Sequence, residues 1–326
     1  MANCHAEFQD YIRELDLRAG QEDKLRTSRD ALIVKIKSQF TKQELKHPRF
    51  ESQGSYALET QNRPIDGDFD LDHGVYLQHY EDDEEVSVHH AMQLVQDAVE
   101  GHTGQPIPYK PTCIRVQYKA TKDEPAHHVD LAVYRGKSDG TKLYAHRENG
   151  WLGSDQAGFR KDYYDQKTDQ KHRMVRLLKG WADHNGGDGE SKLPSGFHMT
   201  VCVLECFSGS ADRDDKAIVA TAEKLYARIK AAYIDKTGAA IKRPVTPGED
   251  IFSSFSSSRI INFATKLGTL VKEGEKAIDG EKEASLTVWN TIFGGRFEAP
   301  EKGGDSKSSS IWGHPAIIGA HGEAGA

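Results

Sequence analysis

A chain of 326 residues is long enough for one large domain or two lobes that share an interface, and at 37% hydrophobic content it can bury a substantial core. Its 43 basic and 50 acidic side chains leave a formal net charge of -7, which disfavours a surface that permanently holds nucleic acid or an anionic membrane but leaves room for small, metal-bound anions. No stretch approaches the roughly 20 apolar residues of a membrane-spanning helix, and Met1 to Asp10 contain no signal-peptide core. A cytoplasmic protein is expected, with no membrane partner.

Within 21–45, Leu25, Leu32, Ile36 and Phe40 form one apolar stripe and predict a long amphipathic helix. From Phe50 to Tyr134 the period shifts towards two. One strand is predicted near 69–77, another where Ile114, Val116 and Tyr118 alternate with polar residues, and a third through Val129, Leu131 and Val133. Val88, Ala91, Met92, Val95 and Ala98 fall at helical spacing between the first two. Beyond about Asp155 helical spacing dominates: Met174, Leu177, Leu178 and Trp181 share a face, and further helices are predicted over 197–207, 212–233, 258–271 and 281–293. Residues 301–326 are rich in Gly, Ser and Ala and read as a flexible tail. The expectation is an α+β protein with a mixed sheet: a catalytic lobe at 1–154, a mostly helical lobe at 155–300, and the tail.

The chemistry concentrates in two segments. The first is Gln53-Gly54-Ser55, where a strand near Phe50 runs into a glycine that permits close backbone approach. Exposed N–H groups at a helix start there, with the Ser55 hydroxyl, suit phosphates. The second is Asp66-Gly67-Asp68-Phe69-Asp70-Leu71-Asp72, in which carboxylates alternate with other residues. Side chains two apart on a strand share a face, so Asp70 and Asp72 present a pair of like charges that calls for a cation. Mg²⁺ takes carboxylate, water and phosphate oxygens together, which suits a metal arriving with a nucleoside triphosphate. Asp130, on the polar side of the strand His127 to Tyr134, is the candidate third ligand of a two-metal site, with Mn²⁺ as a substitute ion. Asp68 with Asp70 is an alternative ligand pair. Singly, an acidic alternation is usually a solvated strand edge and a Gly-Ser pair usually a turn; their order and context favour catalysis.

Other patterns carry less. The four cysteines, Cys4, Cys113, Cys202 and Cys206, form no CxxC pair and read as core thiols. Gly136-Lys137-Ser138 lacks the earlier glycine of a phosphate-binding P-loop, because Leu131 stands there. His89-His90 and His127-His128 have no metal-ligand spacing, although His128 is placed to brace Asp130. The acidic block at 81–85 reads as a solvated loop ahead of a helix.

The order Gly-Ser, Asp-x-Asp, then a lone Asp on a later strand resembles the polymerase-beta-like nucleotidyltransferase superfamily. Asp70-Leu71-Asp72-His73-Gly74-Val75-Tyr76-Leu77 looks like its bacterial cGAS/DncV-like branch, the CD-NTases, although His73 stands where that branch often has another acid. Arg176 to Trp181 is similar to the family's helix that supplies a lysine to the triphosphate, and Leu193 to Phe197 to its Pro-Ser helix start. Lys179 and Ser195 inherit phosphate-binding roles by that match. Ala284 to Phe297 resembles the branch's C-terminal ending, so the likeness spans about 20–300.

The resemblance implies a synthase that joins nucleoside triphosphates into cyclic di- or trinucleotide messengers, an antiphage role through a separate effector, and tail conjugation by ubiquitin-transfer-like partners. No grouped His and Cys insertion is present, so constitutive DNA binding is not expected. The competing readings are a nucleotidyltransferase acting on an RNA or protein acceptor, and a nucleotide sensor without turnover.

Overall fold

The computed structural model describes residues 1–298 except 66–68, 81–84, 123–124, 138–139 and 246–247. Asp66, Asp68, most of the acidic block and the 301–326 tail therefore lie outside the described residues.

Six strands make one mixed sheet: β1 (Arg49–Ser52), β2 (Phe69–Tyr76), β3 (Ile114–Tyr118), β4 (His127–Gly136), β5 (Lys142–His146) and β6 (Gly150–Gly153). Its order is β1-β2-β4-β5-β6, with β3 also paired to β4. The ten-residue β4 is long enough to serve three neighbours: β2 runs parallel along one side, while β3 and β5 share the other, at its start and end respectively. The β2 to β4 connection is a crossover through α4 (Val88–Val99) and β3, as a parallel pair requires.

The predicted long helix is α2 (Gln21–Lys42), which places Leu25, Leu32, Ile36 and Phe40 fully inside. With α4 it covers one sheet face, where Phe69, Leu71, Val75, Val129, Leu131 and Val133 form a core with them. Strand parity then turns the other face, bearing Asp70, Asp72 and Asp130, towards the rest of the molecule.

That remainder is a second core built from α5 (Gln156–Gln166), α6 (Asp169–Asn185), α7 (Gly196–Cys206), α8 (Asp214–Ile229), α9 (Ser257–Asp279) and α10 (Lys282–Phe293). Buried Met199, Val201, Cys202, Val203 and Cys206 make α7 its central rod, and all four cysteines are buried.

Two boundaries differ from expectation. The first helix, α1 (His5–Glu14), falls within the sequence-defined 1–154 lobe but packs into the helical core. Its Phe8 ring meets Trp289, Phe293 and Phe297 edge-on at 4.9, 5.4 and 5.1 Å. The N-terminus is further tied to α8, where Cys4 donates its backbone N–H to Asp215 at 3.0 Å. Asp214, fully buried, accepts two hydrogen bonds from Arg173 at 2.6 and 3.0 Å. The other boundary is the end of α9, which runs to Asp279 rather than 271, because the contact face shifts to small residues that periodicity in large apolar residues does not register. At Gly274 a Cβ would stand 2.5 Å from Val219 and 3.1 Å from Trp289, so a side chain there would force α8 and α10 apart.

Candidate active site

The parallel register of β2 and β4 pairs Asp70 with His128 and Asp72 with Asp130. Register partners on one sheet face are close neighbours, so Asp72 has Asp70 beside it along its own strand and Asp130 across from it. Burial, then Asp70, then Asp130 push the Asp72 carboxyl up to about 7, against weaker opposition from Arg115 and Lys179. Three carboxylates here face two cationic side chains, Arg115 and Lys179.

Asp130 is not free within this cluster. Across the antiparallel β3 it faces Arg115 in register, and Arg115 donates from Nε to Oδ1 at 2.8 Å and from Nη2 to Oδ2 at 2.6 Å. Such a two-pronged guanidinium clamp is among the stronger polar contacts. Among the described residues no three His, Cys, Asp or Glu side chains converge closely enough to hold a metal together. The donors nevertheless suit a hard divalent ion in kind, since they are carboxylates, partly desolvated and mutually repelling.

His73, by alternation, points to the opposite face. It is 3% exposed, lies parallel to the Phe50 ring at 5.9 Å, and burial lowers its pKa to about 4. It is a neutral core residue. His127 also faces that core, stacked between Tyr118 and Phe69 at 4.5 and 5.3 Å, with its Nε2 2.9 Å from the Ser28 hydroxyl.

The Gly-Ser turn closes over Asp72. Gln53 donates its backbone N–H to the Asp72 carbonyl at 3.0 Å, and Gly54 follows with φ +59 at the start of the short α3 (Gly54–Ala57). A Cβ at Gly54 would lie 2.0 Å from the Asp72 carboxylate oxygen. The close approach expected of this glycine is therefore made to an aspartate side chain. Ser55 lines the cavity, and its hydroxyl makes no hydrogen bond to any described residue.

Gln53, expected to bind nucleotide, lines the cavity and also braces the turn from below. Its side chain is 6% exposed and turns beneath the turn, accepting from Tyr134 at 3.0 Å and donating to Tyr76 at 3.2 Å. Gly74 leaves space for it, since a Cβ there would stand 2.3 Å from the amide nitrogen. Gln53 holds the turn against the sheet.

A cavity of about 880 Å³ opens between these strands and the helical core, lined by Gly54, Ser55, Asp70, Asp72, Lys179 and Ser195 among others. Lys179 reaches it from α6. Its ammonium donates to the Thr60 carbonyl at 2.5 Å and passes the start of α7, where a Cβ on Gly196 would stand 2.8 Å from Lys179 Cε. Burial, outweighing the nearby Asp70 and Asp72, lowers its pKa to about 8.

Ser195 is the N-cap of α7 but makes no capping bond to the helix backbone. Its hydroxyl lies 2.7 Å from His198 Nδ1 instead. The first N–H groups of α7 therefore have no side-chain cap beside the lysine, the usual arrangement of an anion site. Periodicity alone missed Arg115 and the Thr60 carbonyl, which reach the site through contacts distant in sequence, and His198, which stands three residues after Ser195.

An acidic strand pair thus lies beneath a Gly-Ser turn and faces a lysine and a helix start across a cleft, an arrangement suited to a divalent cation with a polyphosphate. Residues 48–134 match the family described as cyclic GMP-AMP synthase DncV-like, nucleotidyltransferase domain. The fold is similar to that of the Vibrio cholerae DncV cyclic AMP-GMP synthase solved with nonhydrolyzable GTP, at 18% identity and TM-score 0.73, covering 91% of this chain and 97% of that one. The same coverage, identity and TM-score hold for DncV with the linear intermediate 5′ pppA(3′,5′)pG. The Bradyrhizobium diazoefficiens CD-NTase CdnG in complex with GTP matches at 14% identity and TM-score 0.74, covering 90% of this chain and 95% of that chain. Residues 48–134 thus match a DncV-like nucleotidyltransferase domain, and the chain as a whole shares the fold of these solved synthases.

Proposed function

We propose that this protein is a cyclic oligonucleotide synthase that binds nucleoside triphosphates in the cleft, joins them with release of pyrophosphate and closes the ring. The observation that carries the reading is the β2–β4 register, which sets Asp72 beside Asp130 on the face that borders the cavity. Relatives of this fold are described as bound to GTP and to a linear dinucleotide intermediate, and that chemistry is extended here by proposal.

Asp70 and Asp72, joined by Asp130, would hold two Mg²⁺ ions, with Mn²⁺ as a substitute. The ions would supply Lewis-acid activation of a ribose hydroxyl and neutralise charge at the α-phosphate. Asp130 takes part by exchanging its contact with Arg115, which lies close enough to balance the cluster in either state. Lys179 and the open N–H groups of α7 hold the polyphosphate. Polyphosphate restores full protonation of Lys179, whose burial otherwise weakens it. Gly54 and Ser55 line the cavity beside these carboxylates.

Incubation with all four triphosphates and Mg²⁺ or Mn²⁺, followed by mass spectrometry, tests the reading: cyclic products support it, whereas adducts formed only on added RNA or protein favour transfer to a macromolecular acceptor. Asp70→Ala with Asp72→Ala should abolish pyrophosphate release while the fold persists. We further propose an antiphage signalling role through a product-activated effector in the cytoplasm, with conjugation of the 301–326 tail by ubiquitin-transfer-like partners as the associated regulation. Infection of cells carrying the wild type or the double mutant tests the signalling role, and mass spectrometry of intact and tail-deleted protein tests the conjugation.

A further inference from the structure

Between the end of α6 and the N-cap of α7 the chain runs along the cavity as a loop that contains Gly186, Gly187 and Gly189, yet it is fastened along its length. A Cβ on Gly187 would stand 2.4 Å from the Ser191 hydroxyl oxygen, so the loop folds closely on itself, and Ser191 donates to the Asp188 carbonyl at 2.7 Å. The start of α9 holds it from the other side. Glu190 accepts from the Ser256 and Ser258 hydroxyls, and Asn262 donates to the Ser191 carbonyl at 3.0 Å. Arg259 donates to the Lys192 carbonyl at 2.8 Å and the Leu193 carbonyl at 3.3 Å, with its guanidinium 3.6 Å from the centre of the Phe255 ring. The backbone at Lys192 is thereby pinned. The Lys192 side chain, by contrast, is exposed, lines the cavity and makes no ion pair or hydrogen bond with any described residue.

We infer that Lys192 binds the terminal phosphate of a nucleoside triphosphate, and that Arg259 is the positioning residue that holds the Lys192 backbone for that contact. The inference rests on the nucleotide-binding reading above. Lys192 stands three residues ahead of the α7 N-cap, and so enters the cavity beside the N–H groups that lack a side-chain cap. Lys179 is buried, anchored on the Thr60 carbonyl and influenced by Asp70 and Asp72, which assigns it to the phosphates nearest the metals. The exposed ammonium of Lys192 then meets the phosphate farthest from the reacting bond. That group is what separates a triphosphate from a diphosphate, which has no pyrophosphate to release and would occupy the cleft to no purpose. A lysine on a pinned backbone gives up less freedom on binding than one on a loose loop, so its contact is worth more. Lys192 thus favours the reactive nucleotide over its spent form.

The test is calorimetric titration of the full chain with Mg²⁺, using nonhydrolysable analogues of the four nucleoside triphosphates and the matching diphosphates. Lys192→Met should weaken the tightest triphosphate about tenfold, the loss of one charge-assisted hydrogen bond, and the matching diphosphate by less than about twofold. Arg259→Met should lower the same triphosphate-to-diphosphate ratio, and adding Lys192→Met to it should cost little more, because the two residues act through one contact. A melting curve of each variant accompanies the titrations. Equal losses of both ligands in Lys192→Met, or no loss of either, would overturn the assignment of the lysine. Additive losses in the double variant, or an Arg259→Met variant that weakens both ligands alike, would overturn the positioning role. Arg160 on α5 also lines the cavity; a lost ratio in Arg160→Met with none in Lys192→Met would move the terminal phosphate to α5 and overturn the inference. Wild-type protein that binds diphosphate and triphosphate equally would do the same, whereas wild-type protein that binds neither would overturn the functional reading itself, and this inference with it.

Discussion

Replacing Asp72 with asparagine should stabilise the metal-free protein at neutral pH while destroying its activity. The Asp72 carboxyl rises from an ordinary 3.8 to about 7 in the folded state, through burial and then the charges of Asp70 and Asp130. A carboxyl with a higher folded than unfolded pKa binds its proton more tightly in the native state, so its contribution is complete below about 4 and is lost as pH rises through 7. Three pKa units at about 1.4 kcal/mol each give on the order of 4 kcal/mol in all. Roughly 2 to 3 kcal/mol of that loss falls between pH 5 and 8. Urea unfolding in EDTA across this range should show wild-type stability falling by that amount more than Asp72→Asn. Saturating Mg²⁺ should flatten the wild-type slope, because a bound cation replaces the proton. Equal pH slopes for the two proteins in EDTA would refute the electrostatic account of the cluster.

Gly54→Ala should cost about 1–3 kcal/mol by thermal unfolding, the range for strained backbone, and should lower activity steeply. Its φ is +59, and the added carbon would collide with the Asp72 carboxylate; unchanged turnover would show that the turn is not coupled to that aspartate. Lys179→Met should raise the KM for nucleoside triphosphates at least tenfold in steady-state assays, through the loss of a charge-assisted contact worth about 1.5–3 kcal/mol, with little change in melting temperature. Asp214→Ala should cost about 3–5 kcal/mol, because it strands the Arg173 guanidinium that this buried carboxylate pairs with. Chemical denaturation measures that loss, and nucleotide affinity of the surviving folded fraction should be unaltered.

What could be read from the chain and what could not divide along the range of the interaction. The alternation through Phe69 to Asp72 is a property of a single strand, so the shared face of Asp70 and Asp72 follows from parity, as does the inward face of His73. Parity there decides the character of His73: whatever residue stands at that position points into the α2–α4 core and cannot serve as a further acid of the cluster. Helix stripes built from large apolar residues were legible for the same local reason, whereas the end of α9, packed through Gly274 and Ala277, was not.

Contacts between strands and lobes lay beyond that reach. Arg115 appears in the sequence only as the polar partner in an alternating strand, and its clamp on Asp130 exists because the antiparallel register brings residues fifteen apart face to face. The sequence gives no sign that Tyr76, Tyr134 and the space left by Gly74 hold the Gln53 side chain beneath the turn. The α1 helix has the same stripe whether it covers the sheet or the helical core, and only the shape of the Trp289, Phe293 and Phe297 cluster decides between them.

These distant contacts also explain how so acidic a cluster folds before any metal binds. Arg115 neutralises the outer carboxylate, Lys179 sits near the inner two while its ammonium is anchored on the Thr60 carbonyl, and Asp72 can hold a proton. Each of these three compensations can be given up. The guanidinium can release Asp130, the ammonium can move to phosphate, and the proton can leave. A cluster balanced by removable charges is poised to exchange all of them for divalent cations and polyphosphate together, so metal and nucleotide should bind with positive cooperativity rather than independently. Calorimetric titration of Mg²⁺ in the presence and absence of a nonhydrolysable triphosphate measures that coupling, and identical metal affinities in the two titrations would show that the compensating charges are not released in concert.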